Sequence, residues 1–196
     1  MAHGLFVSCR VAERDKIPSA MTTSALPLLI VVTGRPGAGK TALAHALARA
    51  IRCPAICRDE IKEGLINTAG EAGGDDVARH AYEAFFDTVT LLIERRVTLV
   101  AEAAFQHKLW APKFELLRAS AHIRIIVCDI APEIARHRRA ARAAGDPARA
   151  RFHPDVAPGP AGDEYEPPHF DVPTLTVDTS DGYRPELDQI ISFVRG

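Results

Sequence analysis

The octapeptide Gly34-Arg35-Pro36-Gly37-Ala38-Gly39-Lys40-Thr41 constrains this chain more than any other stretch. It follows an apolar run, Leu28-Leu29-Ile30-Val31-Val32, and precedes an alanine- and leucine-rich segment from Ala42 to Ile51. The spacing G-x-x-x-x-G-K-[ST] at a strand-to-helix junction is that of a phosphate-binding P-loop. Glycines let backbone N–H groups turn inward around phosphate oxygens, where Cβ atoms would obstruct them. The helix that follows adds its N-terminal N–H groups and the positive end of its dipole. Gly34, Arg35, Pro36, Gly37, Ala38, Gly39, Lys40 and Thr41 are therefore candidate ATP-binding residues. In this reading Lys40 reaches the β- and γ-phosphates, and the Thr41 hydroxyl is a Mg²⁺ ligand.

The chain's 196 residues suit one domain with a sizeable core. Residues 26–196 are expected to form it, with 1–25 as a flexible arm, because the first 25 residues show no clear periodicity and no continuous apolar stretch of a signal peptide. Truncation at Met21 is expected to spare nucleotide binding. No run reaches the length of a membrane span, and the apolar stretch around Leu26–Val32 contains Pro27. Cys53, Cys57 and Cys128 flank or end apolar strands and read as buried thiols. Neither paired C-x-x-C motifs nor the eight histidines show zinc-ligand spacing. Reduced cysteines and a nucleotide site together point to the cytoplasm.

Formal net charge is −1, but six arginines (Arg136, Arg138, Arg139, Arg142, Arg149, Arg151) lie within sixteen residues that hold one acid, Asp146. The remainder carries 18 basic against 24 acidic residues. Positive charge concentrated this way suits gripping a compact polyphosphate better than tracking a long nucleic acid.

Apolar patterning and turn residues predict strands over Leu28–Thr33, Pro54–Cys57, Val97–Ala101, Ile123–Cys128 and Leu175–Val177. Helices are expected to Ile51, over Glu60–Asn67 behind an Asp59 N-cap, from Asp75 or Asp76 to Arg96, and over Leu109–Ala119 with Pro112 in the first turn. Two more are expected, from Pro132 to about Ala144 and over Pro185–Val194. Gly70, Gly73 and Gly74 mark a loop, and Pro154–Pro168 reads as an irregular lid or connector. Strands alternating with helices predict a parallel sheet covered on both faces.

A second motif, Cys57-Arg58-Asp59-Glu60-Ile61-Lys62, follows the second strand. Loops at the carboxyl ends of parallel strands form the ligand crevice. A carboxylate there can orient an acceptor hydroxyl and take its proton; the plainer alternative is that Asp59 only caps its helix. A P-loop, this motif and an arginine-rich lid together resemble the P-loop kinases related to polynucleotide 5′-kinase, chloramphenicol phosphotransferase and the zeta toxins. That resemblance implies an α/β three-layer sandwich with a five-stranded parallel sheet in the order 2-3-1-4-5 and a lid over about 136–168. It maps the general base onto Asp59 and an acceptor- or phosphate-contacting residue onto Lys62, with Arg58 matching the basic residue that precedes the aspartate.

Val97-Thr98-Leu99-Val100-Ala101-Glu102 ends an apolar strand on an acid. Among P-loop enzymes an acid in that place holds the Mg²⁺ shell or positions substrate, which makes Glu102 a candidate for both. Phe105, Gln106, His107 and Trp110 follow and are candidates to line the acceptor pocket, Phe105 first. Arg136, Arg139 and Arg142 fall at i, i+3, i+6 and can share one helix face, where they would neutralise charge on a transferring phosphoryl group. Thr179, in Val177-Asp178-Thr179-Ser180-Asp181, lies where the relatives pass the adenine. The expected activity is ATP- and Mg²⁺-dependent phosphorylation of a hydroxyl on a small molecule or nucleotide, with Lys40, Asp59 and the lid arginines as catalytic groups. A polynucleotide 5′-kinase and a regulatory ATPase or nucleotide switch are the alternatives.

Overall fold

Six of the seven residues of β1 (Leu28–Gly34) are buried, as an apolar strand at the centre of a two-sided sheet requires. The computed structural model describes residues 25–69, 75–145 and 165–196. After β1 come α1 (Lys40–Ile51), β2 (Ala55–Cys57), α2 (Arg58–Ala69), α3 (Asp75–Glu94) and β3 (Leu99–Glu102). They are followed by α4 (His107–Arg118), β4 (His122–Asp129), α5 (Pro132–Gly145), β5 (Thr174–Asp178) and α6 (Leu187–Arg195). Every strand pair is parallel, and the order is β2-β3-β1-β4-β5, as expected.

Side chains alternate across a strand, so β1 feeds two cores. Leu29 and Val31 pack with Phe85, Trp110 and Phe114 from α3 and α4, whereas Ile30 and Val32 pack with Leu43, Leu47 and Ile190 from α1 and α6. Each such aliphatic side chain contributes about 1.5–3 kcal/mol through burial. The result is a three-layer sandwich. Its register sets Glu102 beside Val32 of β1 and Cys57 of β2, and Gly34 beside Cys128 of β4. The carboxyl ends of four strands therefore meet at the glycine loop.

Several boundaries differ from those expected, for local reasons. α2 starts at Arg58, directly after β2, which puts Asp59 inside its first turn rather than at the N-cap. A carboxylate in that turn is favoured by the helix dipole. α3 stops at Glu94 because Arg96 turns left-handed (φ 61°), with the Arg96 and Val97 N–H groups donating to Ile93 and Leu92 carbonyls. Arg52 ends α1 in the same manner at φ 60°. Both are caps usually made by glycine, so neither end is marked in the sequence. α4 begins at His107, placing Pro112 past the first turn, where the missing N–H leaves the Lys108 carbonyl without its helical donor.

Expectations for residues 1–24, for Gly70, Gly73 and Gly74, and for Arg149, Arg151 and the connector through residue 164 fall outside the described residues. Among the described residues no helix is long and apolar enough to cross a membrane.

Candidate active site

The loop from Gly34 to Thr41 is shaped by three glycines in the left-handed region, Gly34 (φ 149°), Gly37 (φ 91°) and Gly39 (φ 77°). Two of them are also sites of close approach. A Cβ at Gly34 would lie 2.4 Å from the Cys128 carbonyl oxygen, and one at Gly37 would lie 2.5 Å from that of Ala135 on α5. The loop is thus wedged against β4 and the start of α5, and Gly39 caps α1 in a conformation that aims the first N–H groups of that helix at the loop's concavity. The Ala38 N–H closes the turn on the Arg35 carbonyl at 3.1 Å.

Two cationic or polar groups converge on Glu102. Lys40 Nζ lies 3.8 Å from Glu102 Oε1, and the Thr41 hydroxyl donates to Glu102 Oε2 at 3.0 Å. Lys40 also donates to the Arg35 carbonyl at 3.3 Å. Glu102 is 2% exposed, and burial raises its pKa above the ordinary glutamate value; Lys40 pulls it down, and neighbouring Asp59 and Glu60 push it up. The oxygen donors Thr41 Oγ1 and Glu102 form a hard set that suits Mg²⁺. Lys40, Thr41 and Glu102 thus meet at one point, and the charge of Asp59, from a third element, acts on the same carboxylate.

Asp59 sits half-exposed at the start of α2, 3.6 Å from Arg58 Nη1. Lys62 is buried one turn further along the same helix. Arg58 donates from Nη2 to the Ala78 carbonyl at 3.3 Å, while its buried Nε has no partner among the described residues. The guanidinium lies on the wall of a cavity of about 260 Å³, together with Tyr82, Ala104, Gln106 and Trp110. A larger groove of about 470 Å³ between α3 and α4 shares no residue with the phosphate site.

Phe105 does not line that cavity. Its side chain is 1% exposed, with ring centroids 4.4 Å from Trp110 and 5.3 Å from Phe114, inside the aromatic core. Its backbone N–H donates to Thr33 Oγ1 at 3.1 Å. Gln106, just before α4, and Trp110 on it border the cavity instead. His107 turns towards Phe170, and its Nδ1 accepts the His169 N–H at 3.0 Å.

The α5 arginines divide. Arg139 donates to the Pro36 carbonyl at 3.1 Å and so touches the glycine loop directly. Arg136 pairs with Glu133 at 3.3 Å on the exposed face, and Arg142 is exposed on the last turns. Arg138, which the i, i+3, i+6 spacing passes over, donates to the Thr179 and Ser180 carbonyls at 2.8 and 2.7 Å. Thr179 is buried, and its hydroxyl lies 2.8 Å from the Ala38 carbonyl and 3.1 Å from that of Asp129. That side chain clamps the loop. Tyr165 was also not legible as a site residue. Its hydroxyl is 2.7 Å from Thr33 Oγ1, and burial pushes its pKa up to about 12.

A family model for an AAA domain, AAA_33, matches residues 29–155. The chain belongs to the AAA_33 family. Its fold is that of the P-loop kinases. A candidate kinase from Chloroflexus aurantiacus J-10-fl is 25% identical, with a TM-score of 0.71 over 87% of this chain and 97% of that one. The APS kinase CysC of Mycobacterium tuberculosis, solved with AMPPNP and APS, is 16% identical with a TM-score of 0.63, covering 88% and 99% of the two chains. A gluconokinase from Sinorhizobium meliloti 1021 is 16% identical with a TM-score of 0.57, covering 87% and 93%. No curated protein matches the sequence. In this AAA_33 chain the family match spans the glycine loop, Asp59, Glu102 and the described arginines of α5.

Proposed function

We propose that the chain is a phosphotransferase that moves the γ-phosphate of ATP to a hydroxyl of a small molecule or nucleotide. The observation that carries this reading is the convergence of Lys40 and Thr41 on buried Glu102, with Asp59 close enough to act on the same carboxylate. A site built only to hold nucleotide has no need of a half-exposed carboxylate at that point.

The loop N–H groups from Gly34 to Thr41 and the Lys40 ammonium hold the β- and γ-phosphates. Thr41, with Glu102 behind it, would hold Mg²⁺, which when bound neutralises charge on the phosphate oxygens. Asp59 accepts the proton of the acceptor hydroxyl as its oxygen bonds to the γ-phosphorus and the bond to the β–γ bridging oxygen breaks. Arg139, which donates to the Pro36 carbonyl of the loop, would stabilise the equatorial oxygens, with Arg136 and Arg142 on either side of it along the same helix. Thr179 and Arg138 hold the loop after β5, along which the adenine would lie. The acceptor would occupy the 260 Å³ cavity, with Arg58, Gln106 and Trp110 as its walls. Lys62, one turn beyond Asp59 on α2, would contact the acceptor or a phosphate, and Phe105 contributes through its backbone and the aromatic core rather than by contact with substrate. Residues 26–196 would act as one kinase domain, α5 and the segment to 168 as its lid, in the ATP-containing cytoplasm.

The test is a labelled-ATP transfer screen over nucleosides, sugars, antibiotics and oligonucleotides, run beside Asp59→Asn. With the accepted substrate, the variant is expected to transfer at least about 10²-fold more slowly at similar ATP affinity. Normal transfer by Asp59→Asn would refute the mechanism. Slow, acceptor-independent turnover across the whole screen would favour a nucleotide switch.

A further inference from the structure

Beside the phosphate site, three side chains of different chemistry face one another. His45 Nε2 on α1 lies 2.7 Å from Glu60 Oε1 on α2 and 3.8 Å from Cys57 Sγ at the end of β2. All three donor atoms fall within 4.8 Å of one another. We propose that His45, Cys57 and Glu60 form a binding site for a thiophilic divalent cation of the Zn²⁺ class, with water in the fourth position.

The donor set selects the ion. Thiolate, imidazole and carboxylate together suit Zn²⁺ or Co²⁺ and not Mg²⁺, which takes oxygen alone. Tetrahedral zinc bonds to N, O and S place neighbouring donors roughly 3.3–3.6 Å apart. The His45–Cys57 separation of 3.8 Å is nearly there. The His45–Glu60 contact must open by about half an ångström, which is easy because both side chains are substantially exposed, 39% and 50%. The third donor is rigid: Cys57 is buried and held in the β2–β3 register opposite Glu102.

Binding takes Cys57 as the thiolate, and its proton leaves to solvent. His45 lies four residues beyond Thr41 on α1, and Glu60 follows Asp59, so the ion would tie α1, β2 and α2 together at the rim of the phosphate site.

The site does not depend on the phosphotransfer reading, and its test uses no substrate. Co²⁺ is titrated into the full chain with excess Mg²⁺, and the thiolate-to-cobalt charge-transfer absorption is followed. One equivalent is expected to bind, Zn²⁺ to displace it, and Zn²⁺ to raise the thermal midpoint. Cys57→Ser should lose the absorption. His45→Ala and Glu60→Gln, at exposed positions that leave the fold intact, should each weaken binding about tenfold or more. Absence of the absorption at saturating Co²⁺, its survival in Cys57→Ser, or unchanged affinity in His45→Ala would each overturn the proposal. Should Cys57→Ser not fold, His45→Ala and Glu60→Gln decide the matter alone.

Discussion

The Thr41 hydroxyl donates a 3.0 Å hydrogen bond to Glu102 Oε2, which ties the first turn of α1 to the last residue of β3. Those residues are 61 positions apart in sequence, yet their contact sets the distance between the two candidate metal-holding groups. Glu102→Gln keeps the shape and removes the charge. Transfer is expected to slow by about 10²-fold and the Mg²⁺ concentration for half-maximal rate to rise. Nucleotide binding measured without Mg²⁺ should change little, because the loop amides remain. Steady-state kinetics across a Mg²⁺ series checks both.

Gly37 carries two constraints at once, a φ of 91° and an Ala135 carbonyl where a Cβ would go. Gly37→Ala is expected to lose about 1–3 kcal/mol of stability and to weaken ATP binding, since the loop must back away from α5. Gly64→Ala is the comparison, having nothing within 4 Å of its added Cβ; in a helix interior it should be neutral or stabilising. Denaturant titration and nucleotide binding on both variants separate backbone strain from a general effect of added methyls.

Phe105 tests whether its place is packing or contact with substrate. Enclosed by Phe85, Trp110 and Phe114, it should cost about 3–5 kcal/mol when truncated to alanine. Phe105→Leu should cost less and leave the acceptor KM unchanged. A raised KM in Phe105→Leu without loss of stability would put the ring in the acceptor site after all.

Asp178 at the end of β5 accepts the Ser180 N–H at 2.8 Å, and that bond holds its pKa below the ordinary value. A carboxyl depressed in the folded state stabilises above its unfolded pKa, and the stabilisation disappears as pH falls through the folded one. The native chain should therefore lose stability towards acid more steeply than Asp178→Asn, with the two curves converging at low pH. Urea midpoints from neutral pH downward measure this. Parallel curves throughout would rule out the contribution of this bond.

The apolar runs and the octapeptide determined the sheet, its parallel sense and the position of the phosphate loop. Those depend on local periodicity and on residue types that few other backbones need. The strand order came with the family resemblance, and the parallel register then carried Glu102 to the loop. Helix ends were less legible, since Arg52 and Arg96 adopt the conformation that a glycine normally marks. Side-chain fate was least legible. Phe105 and Trp110 have the same apolar character in sequence and share one core, but only Trp110 also borders the cavity. Arg138 and Arg139 are neighbours in one arginine run, and only the packing of α5 sends the first to Thr179 and the second to Pro36. His45, Cys57 and Glu60 have no ligand spacing along the chain. Their donor atoms meet because α1, β2 and α2 converge at one edge of the sheet, a property of the tertiary fold that no local pattern records.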